Sequence, residues 1–278
     1  MKRLMRIVLM FIALAYLGLI LLALSADKLI FQPHLTSYTD VQLRNAKSES
    51  IEYVRLRSGS ESISAVYLPN PTARYTLLYS HGNAEDIGDT LPMLEEFRRA
   101  GFAVLSYDYR GYGTSTGNPS EKGVYSDVQA AYDYLTQTRQ VESNRIISYG
   151  HSLGAGAAIY LASTKPVAGL IADAPFVSAF RVLTRVRLLP WDEFNNSAHI
   201  RRVHCPVLVI QGKQDEVITW WHGQRIYELA NEPKRSFWID NAGHNDSFLI
   251  ASKTYLQTMN EFAASLASAE LGKSSASK

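Results

Sequence analysis

Ser152 stands in the pentapeptide Gly150-His151-Ser152-Leu153-Gly154, a G-x-S-x-G pattern. That spacing fits a very tight turn from strand to helix, where small flanking residues avoid clashes and the hydroxyl is left exposed for nucleophilic acyl transfer. The surroundings agree: Arg145 to Tyr149 reads as a strand, and Leu153 to Ile159 as a helix whose small residues pack closely on a sheet. A serine nucleophile needs a general base, most often an imidazole. Of the seven histidines, His244 follows the last strand-like run, in the loop Asn241-Ala242-Gly243-His244-Asn245-Asp246. The imidazole in turn needs a carboxylate to fix its tautomer and orientation. Asp215 supplies one in the loop after the strand Val207 to Ile210, and Asp173, after the preceding strand, is its rival. Glu216 is expected to point elsewhere, and the ring of His151 away from the serine. His34, His199, His204 and His222 carry no partner pattern and read as solvated or capping residues.

Acyl transfer places negative charge on the carbonyl oxygen, which two preorganised N–H groups must meet. One is expected from Leu153, the residue after the nucleophile. The other is expected from the backbone of Asn83, in Ser80-His81-Gly82-Asn83-Ala84 directly after the run Tyr75 to Tyr79. An ordinary strand-to-helix turn is the plain alternative for that loop.

The elements that must position these groups follow from the hydrophobic pattern. Glu52 to Leu56 and Ile63 to Leu68 read as a hairpin about Ser58-Gly59-Ser60. The runs Tyr75–Tyr79, Ala103–Tyr107, Arg145–Tyr149, Val167–Ala172, Val207–Ile210 and Ser236–Ile239 read as strands buried on both faces. Helical patterns lie between or after them, over Thr90–Arg99, Lys122–Thr136, Leu153–Ser163, Trp220–Leu229 and Ser247–Leu266. This alternation predicts an α/β fold, a mostly parallel sheet with helices on both faces, and places its chemistry at the carboxyl ends of the strands. Between Ala174 and Val203 the alternation lapses. There Phe176, Phe180, Val182, Leu183, Val186, Leu188, Leu189 and Trp191 either line a lid or acyl pocket or form the packing face of one helix.

Ile7 to Leu24 is an uncharged apolar run, long enough as a helix to span a hydrocarbon core of about 30 Å. Lys2, Arg3 and Arg6 precede it, so the N-terminus is expected in the cytoplasm and the rest on the exported side. A cleaved signal peptide, with small residues at Ala23-Leu24-Ser25-Ala26, is the competing reading. The predicted organisation is thus a transmembrane signal anchor over 1–26, a connector over 27–48, a catalytic domain over 49–268 with a short lid at about 175–203, and a disordered tail over 269–278.

With 28 basic and 26 acidic residues among 278, and no basic helix face, the chain does not read as a nucleic-acid binder. Its one cysteine, Cys205, excludes an internal disulfide and reads as a small buried residue entering a strand. No phosphate loop, dinucleotide glycine pattern or metal cluster stands out, so no cofactor is expected. Asn195-Asn196-Ser197 and Asn245-Asp246-Ser247 match the glycosylation sequon; the second adjoins His244 and is discounted.

Over nearly all of the exported part the chain resembles the short-lid α/β-hydrolases, which include the yeast bud-emergence homologues and the animal membrane-associated protein depalmitoylases. The matching stretches are Leu29-Ile30-Phe31-Gln32-Pro33, Ser80 to Ala84, Asp108-Tyr109-Arg110-Gly111-Tyr112-Gly113, Gly150 to Gly154, Gln211 to Asp215 and Gly243 to Asp246. The resemblance implies an α/β-hydrolase fold and makes the Asp108–Gly113 turn structural, with Asp108 and Arg110 read as a loop-bracing pair. The animal depalmitoylases carry an N-terminal cysteine cluster where this chain has a hydrophobic helix. The function expected is a serine hydrolase cleaving acyl esters or thioesters near a membrane. Two alternatives are an aminopeptidase-type enzyme, with Asp192 or Glu193 holding the substrate ammonium, and a non-catalytic binding protein. Epoxide hydrolase and dehalogenase chemistry is disfavoured, because those relatives carry aspartate where this chain has Ser152.

Overall fold

The structure, a computed structural model, describes residues 2–23, 26–39, 51–186 and 188–276. The first helix, α1 (Lys2–Ala23), is followed by the short α2 (Ala26–Ile30). The connector expected over 27–48 is described as far as residue 39, and its remainder lies outside the described residues.

The hairpin strands are β1 (Glu52–Ser58) and β2 (Glu61–Leu68), longer than the apolar pattern indicated and joined at Gly59 with φ +63°. The alternating units that follow are β3 (Thr76–Ser80), α3 (Ile87–Arg99), β4 (Ala103–Tyr107), α4 (Glu121–Asp133), β5 (Ile146–His151), α5 (Leu153–Thr164) and β6 (Gly169–Asp173). After the lid region come β7 (Val207–Gly212), α8 (Trp220–Leu229), β8 (Lys234–Ile239) and α9 (Ser247–Ala276), with α6 (Ala179–Thr184) and α7 (Asn196–His199) inside the lid region itself. Among the described residues the sheet has eight strands in the order β1-β2-β4-β3-β5-β6-β7-β8. β2 pairs antiparallel with β1 and β4, and every pair from β4 to β8 is parallel.

Side chains alternate across a strand, so neighbours in one strand serve opposite faces. Leu77, Tyr79, Ile147, Tyr149, Ile171 and Leu208 bury against Phe97 of α3 and Tyr255 and Phe262 of α9. Leu78, Leu105, Tyr107 and Ile146 bury on the other face with Val124 and Val128 of α4 and Leu161 of α5. Leu170, Ala172, Val207 and Val209 extend that second face against α5 and Ile226 of α8. Both faces are therefore covered, which is why these strands carry apolar runs rather than alternation.

α9 bends at Ala251 (φ −112°, ψ 18°) and continues in helix through Ala276. Residues 269–276 are thus helical where small polar composition predicted disorder. Ala269, Glu270 and Leu271 are good helix formers and extend a helix already started by packed turns, which is easier than beginning one. Cys205 is half-buried, and burial pushes its thiol up to about 12.

Candidate active site

Ser152 occupies the turn between β5 and α5 with φ 53° and ψ −116°. A non-glycine residue held in such a region costs of order 1–3 kcal/mol and persists only where its surroundings fix it. Here the Ser152 N–H donates to the Asp173 carbonyl at 2.9 Å, and the Ala155 N–H to the Ser152 carbonyl at 2.9 Å. The glycines on either side are sterically required. A Cβ on Gly150 would collide with the Gly154 backbone, and one on Gly154 with the carbonyls of Ser80 and His81.

His244 Nε2 lies 2.9 Å from Ser152 Oγ, and His244 Nδ1 lies 2.8 Å from Asp215 Oδ2. A carboxylate only accepts, so the proton sits on Nδ1 and Nε2 is left to accept from the serine. Asp215 is buried and held by further donors. Its Oδ1 accepts from the N–H of Val217 (2.9 Å) and Ile218 (2.7 Å), and its Oδ2 from Gln211 Nε2 (2.8 Å). Gln211 also donates to the Ile218 carbonyl at 2.8 Å, which ties the loop to its strand. Sequence reasoning named Gln211 only as part of a matching stretch; its orienting role depends on a fold-back over four to seven residues that no local pattern marks.

Asp173, the rival acid, is committed elsewhere. It accepts from Tyr255 OH at 2.9 Å and faces His151 Nδ1 at 3.2 Å. The His151 ring lies 5.3 Å from that of His244, with Asp173 rather than Ser152 as its partner. Burial lowers the affinity of His151 for a proton, but the bond to Asp173 and its charge outweigh this and raise the group to about 9. The site thus holds a second histidine–aspartate pair beside the first.

Leu153 begins α5, and the first N–H groups of a helix have no partner within it. Asn83 lies in the loop after β3. Its side-chain oxygen accepts from Tyr112 OH (2.6 Å) and Gln32 N–H (3.1 Å), so the carboxamide braces the loop, and Asn83 is among the residues that line the cavity. The Gly82 N–H donates to Glu85 at 2.7 Å, and His81 Nδ1 lies 2.7 Å from the Gly82 carbonyl.

The expected pairing of Asp108 with Arg110 is corrected. Asp108 accepts from the Ile87 N–H (2.9 Å) and from Tyr38 OH, and faces His81 Nε2 at 3.5 Å. Arg110 instead binds Asp127 of α4, at 2.7 Å through Nη2 and through Nε as well. Each residue braces the turn, but to a different element.

A cavity of about 570 Å³ opens over Ser152 and His244, bordered by Asn83, Leu153, Val217 and Ile218. All eight apolar lid residues named from the sequence line it, as do Leu19 of α1 and Ile30 of α2. Asp192 borders the cavity, but its carboxylate accepts from Ser178 OH (2.6 Å) and the Phe180 N–H (2.9 Å). Glu193 does not line it; burial and the nearby Asp27, Glu121 and Asp192 raise its carboxyl to about 7. Among the described residues, His34, Asp86 and Asp89 bring three ligand-type atoms together. Asp86 there caps α3, accepting from Ser37, Gly88 and Asp89 N–H groups, which accounts for the cluster.

Residues 71–191 match the family profile described as serine aminopeptidase, S33. The alpha/beta hydrolase domain-containing protein aho-3 of Caenorhabditis elegans is 36% identical over 242 residues, covering 85% of this chain and 71% of the relative. Alpha/beta hydrolase domain-containing protein 17B of Homo sapiens is 34% identical over 234 residues, with 82% and 81% covered. Among solved structures, the Pyrococcus furiosus esterase Pf2001 aligns with TM-score 0.69 at 20% identity, over 84% of this chain and 95% of that one. Est1E from Butyrivibrio proteoclasticus, solved with ferulic acid, aligns with TM-score 0.64 at 17% identity, over 76% and 99%.

Proposed function

Since this chain belongs to the alpha/beta hydrolase domain-containing family and is a hydrolase by that membership, we propose that it is a serine hydrolase working through an acyl-enzyme, on acyl esters or thioesters with an apolar chain. The observation that carries the reading is the contact chain Ser152–His244–Asp215 at the floor of an apolar cavity. Ser152 Oγ attacks the carbonyl carbon while His244 Nε2 takes its proton, and Asp215 stabilises the imidazolium that forms. The N–H groups of Leu153 and Asn83 receive the developing oxyanion. His244 then protonates the leaving group, and water, activated by the same imidazole, releases the acid.

The cavity walls favour an acyl chain over a peptide. An aminopeptidase needs a free carboxylate to hold the substrate ammonium, and the two lid carboxylates proposed for that role are either internally bonded or outside the cavity. The esterase reading is tested by treating the full chain in detergent with a fluorescent fluorophosphonate. Labelling is expected in the parent, none in Ser152→Ala, and a steep loss in His244→Ala; equal labelling of all three would overturn the assignment. Turnover of an amino-acid amide faster than any acyl ester would favour the peptidase.

Lys2–Ile20 is long and apolar enough to cross a membrane and is unburied by the rest of the chain. In the proposed topology the basic N-terminus stays in the cytoplasm and the catalytic domain lies across the bilayer. Protease added to sealed cells or vesicles of known sidedness distinguishes this from the reverse orientation.

A further inference from the structure

We propose that the rim of the cavity is a docking surface for the lipid bilayer that α1 crosses, so that the mouth of the site lies against the membrane. The inference deepens the proposed function and rests on its reading of α1 as membrane-embedded.

Two observations carry it. The lid and the loop after Asp215 leave large apolar side chains uncovered around one opening. Leu183 is 86% exposed, Val186, Leu188 and Val217 are each exposed by half or more, and Trp191 by 39%. All five border the same cavity, so the exposure is a continuous patch at its mouth rather than scattered surface residues. Contiguous patches of this kind on a soluble surface mark an interaction site.

The second observation identifies what covers the patch. Leu19 lies within the apolar span Lys2–Ile20 and also lines the cavity. It lies four residues before the end of α1 (Lys2–Ala23), about 6 Å along the axis at a rise of about 1.5 Å per residue. The last turns of the helix, where it leaves the hydrocarbon, therefore touch the cavity, and the mouth is placed against that side of the bilayer. The patch is continuous with a helix whose own surroundings are lipid. Its composition fits that environment: tryptophan is enriched at the membrane–water boundary, and Arg185, exposed beside Val186, can reach headgroup phosphates.

The test uses the full chain reconstituted in vesicles of phosphatidylcholine and phosphatidylglycerol whose acyl chains carry bromine, which quenches nearby tryptophan. Quenching is expected in the parent and should fall in Trp191→Phe, since the chain's other three tryptophans do not line the cavity, Trp221 packing beneath Arg181 instead. Leu183→Glu should weaken the quenching of Trp191, because a carboxylate resists leaving water. Equal quenching of the parent and Trp191→Phe, with α1 resistant to alkaline extraction, would overturn the proposal. So would a Trp191 signal that is insensitive to bromine but changes with protein density, which would mean a second copy covers the patch. Fluorophosphonate labelling of the same samples keeps the two readings apart: labelled but unquenched protein sinks docking alone, and quenched but unlabelled protein sinks only the catalytic assignment.

Discussion

At the scale of single residues the site contains two imidazoles with opposite tasks. His244 faces Ser152, the proposed nucleophile, whereas His151 faces Asp173, with Glu85 and Asn245 also contributing to its environment. Because His151 binds its proton more tightly in the folded chain, near 9 against an ordinary 6.5, its pairing stabilises the fold fully below pH 6.5. That contribution is lost as pH rises through 9. Comparing thermal unfolding of the parent and His151→Gln should show a gap on the order of 3 kcal/mol at pH 6 that narrows steadily toward pH 9. A gap constant with pH would mean His151 is neutral when folded. Cys205 gives a second residue-scale prediction. Its thiol is pushed up to about 12 by burial, so little thiolate forms at pH 8. Alkylation should be slow in the native chain and fast in denaturant; rapid native labelling would contradict the burial.

At the scale of elements, the elbow depends on a helix allowed to approach a loop through its glycines. Gly154→Val places a side chain on the Ser80 and His81 carbonyls, and overpacking of this kind costs roughly 1–3 kcal/mol. The loop that carries Asn83 must shift, so fluorophosphonate labelling should fall together with melting temperature. Arg110→Ala strips fully buried Asp127 of its cation and should destabilise by about 3 kcal/mol. The double variant Arg110→Ala/Asp127→Asn should recover part of that loss, because the orphaned charge is gone. Much of this scale was legible in advance. Strand–helix alternation, the serine pentapeptide and the two loop residues Asp215 and His244 each follow from local pattern. The partners of Asp108 and Arg110 were not legible, since Tyr38, Ile87 and Asp127 come from three other segments and nothing near the turn announces them. Gln211 and the His151–Asp173–Tyr255 cluster were hidden for the same reason: buried polar groups are satisfied across the fold, and the sequence records only their identities.

For the whole molecule, the sheet separates two covered faces from one working edge, and the N-terminal helix meets that edge rather than trailing from the opposite end. The hydrophobic run of α1 could be read as a span, but its share in the wall of the cavity appears only when the chain is folded. Under the proposed docking, a hydrolase held on a bilayer searches a plane instead of a volume. For a substrate held in the same bilayer, the governing variable is then its mole fraction among lipids, not its molarity, since tethering sets the local concentration. Adding inert phospholipid to vesicles at constant total substrate should slow turnover in proportion to that dilution, while doubling the buffer around the same vesicles should leave each enzyme's rate unchanged. A rate that followed bulk volume instead would mean that substrate reaches the site through water. Otherwise, crowding or clearing its patch of membrane would regulate this enzyme as effectively as an inhibitor.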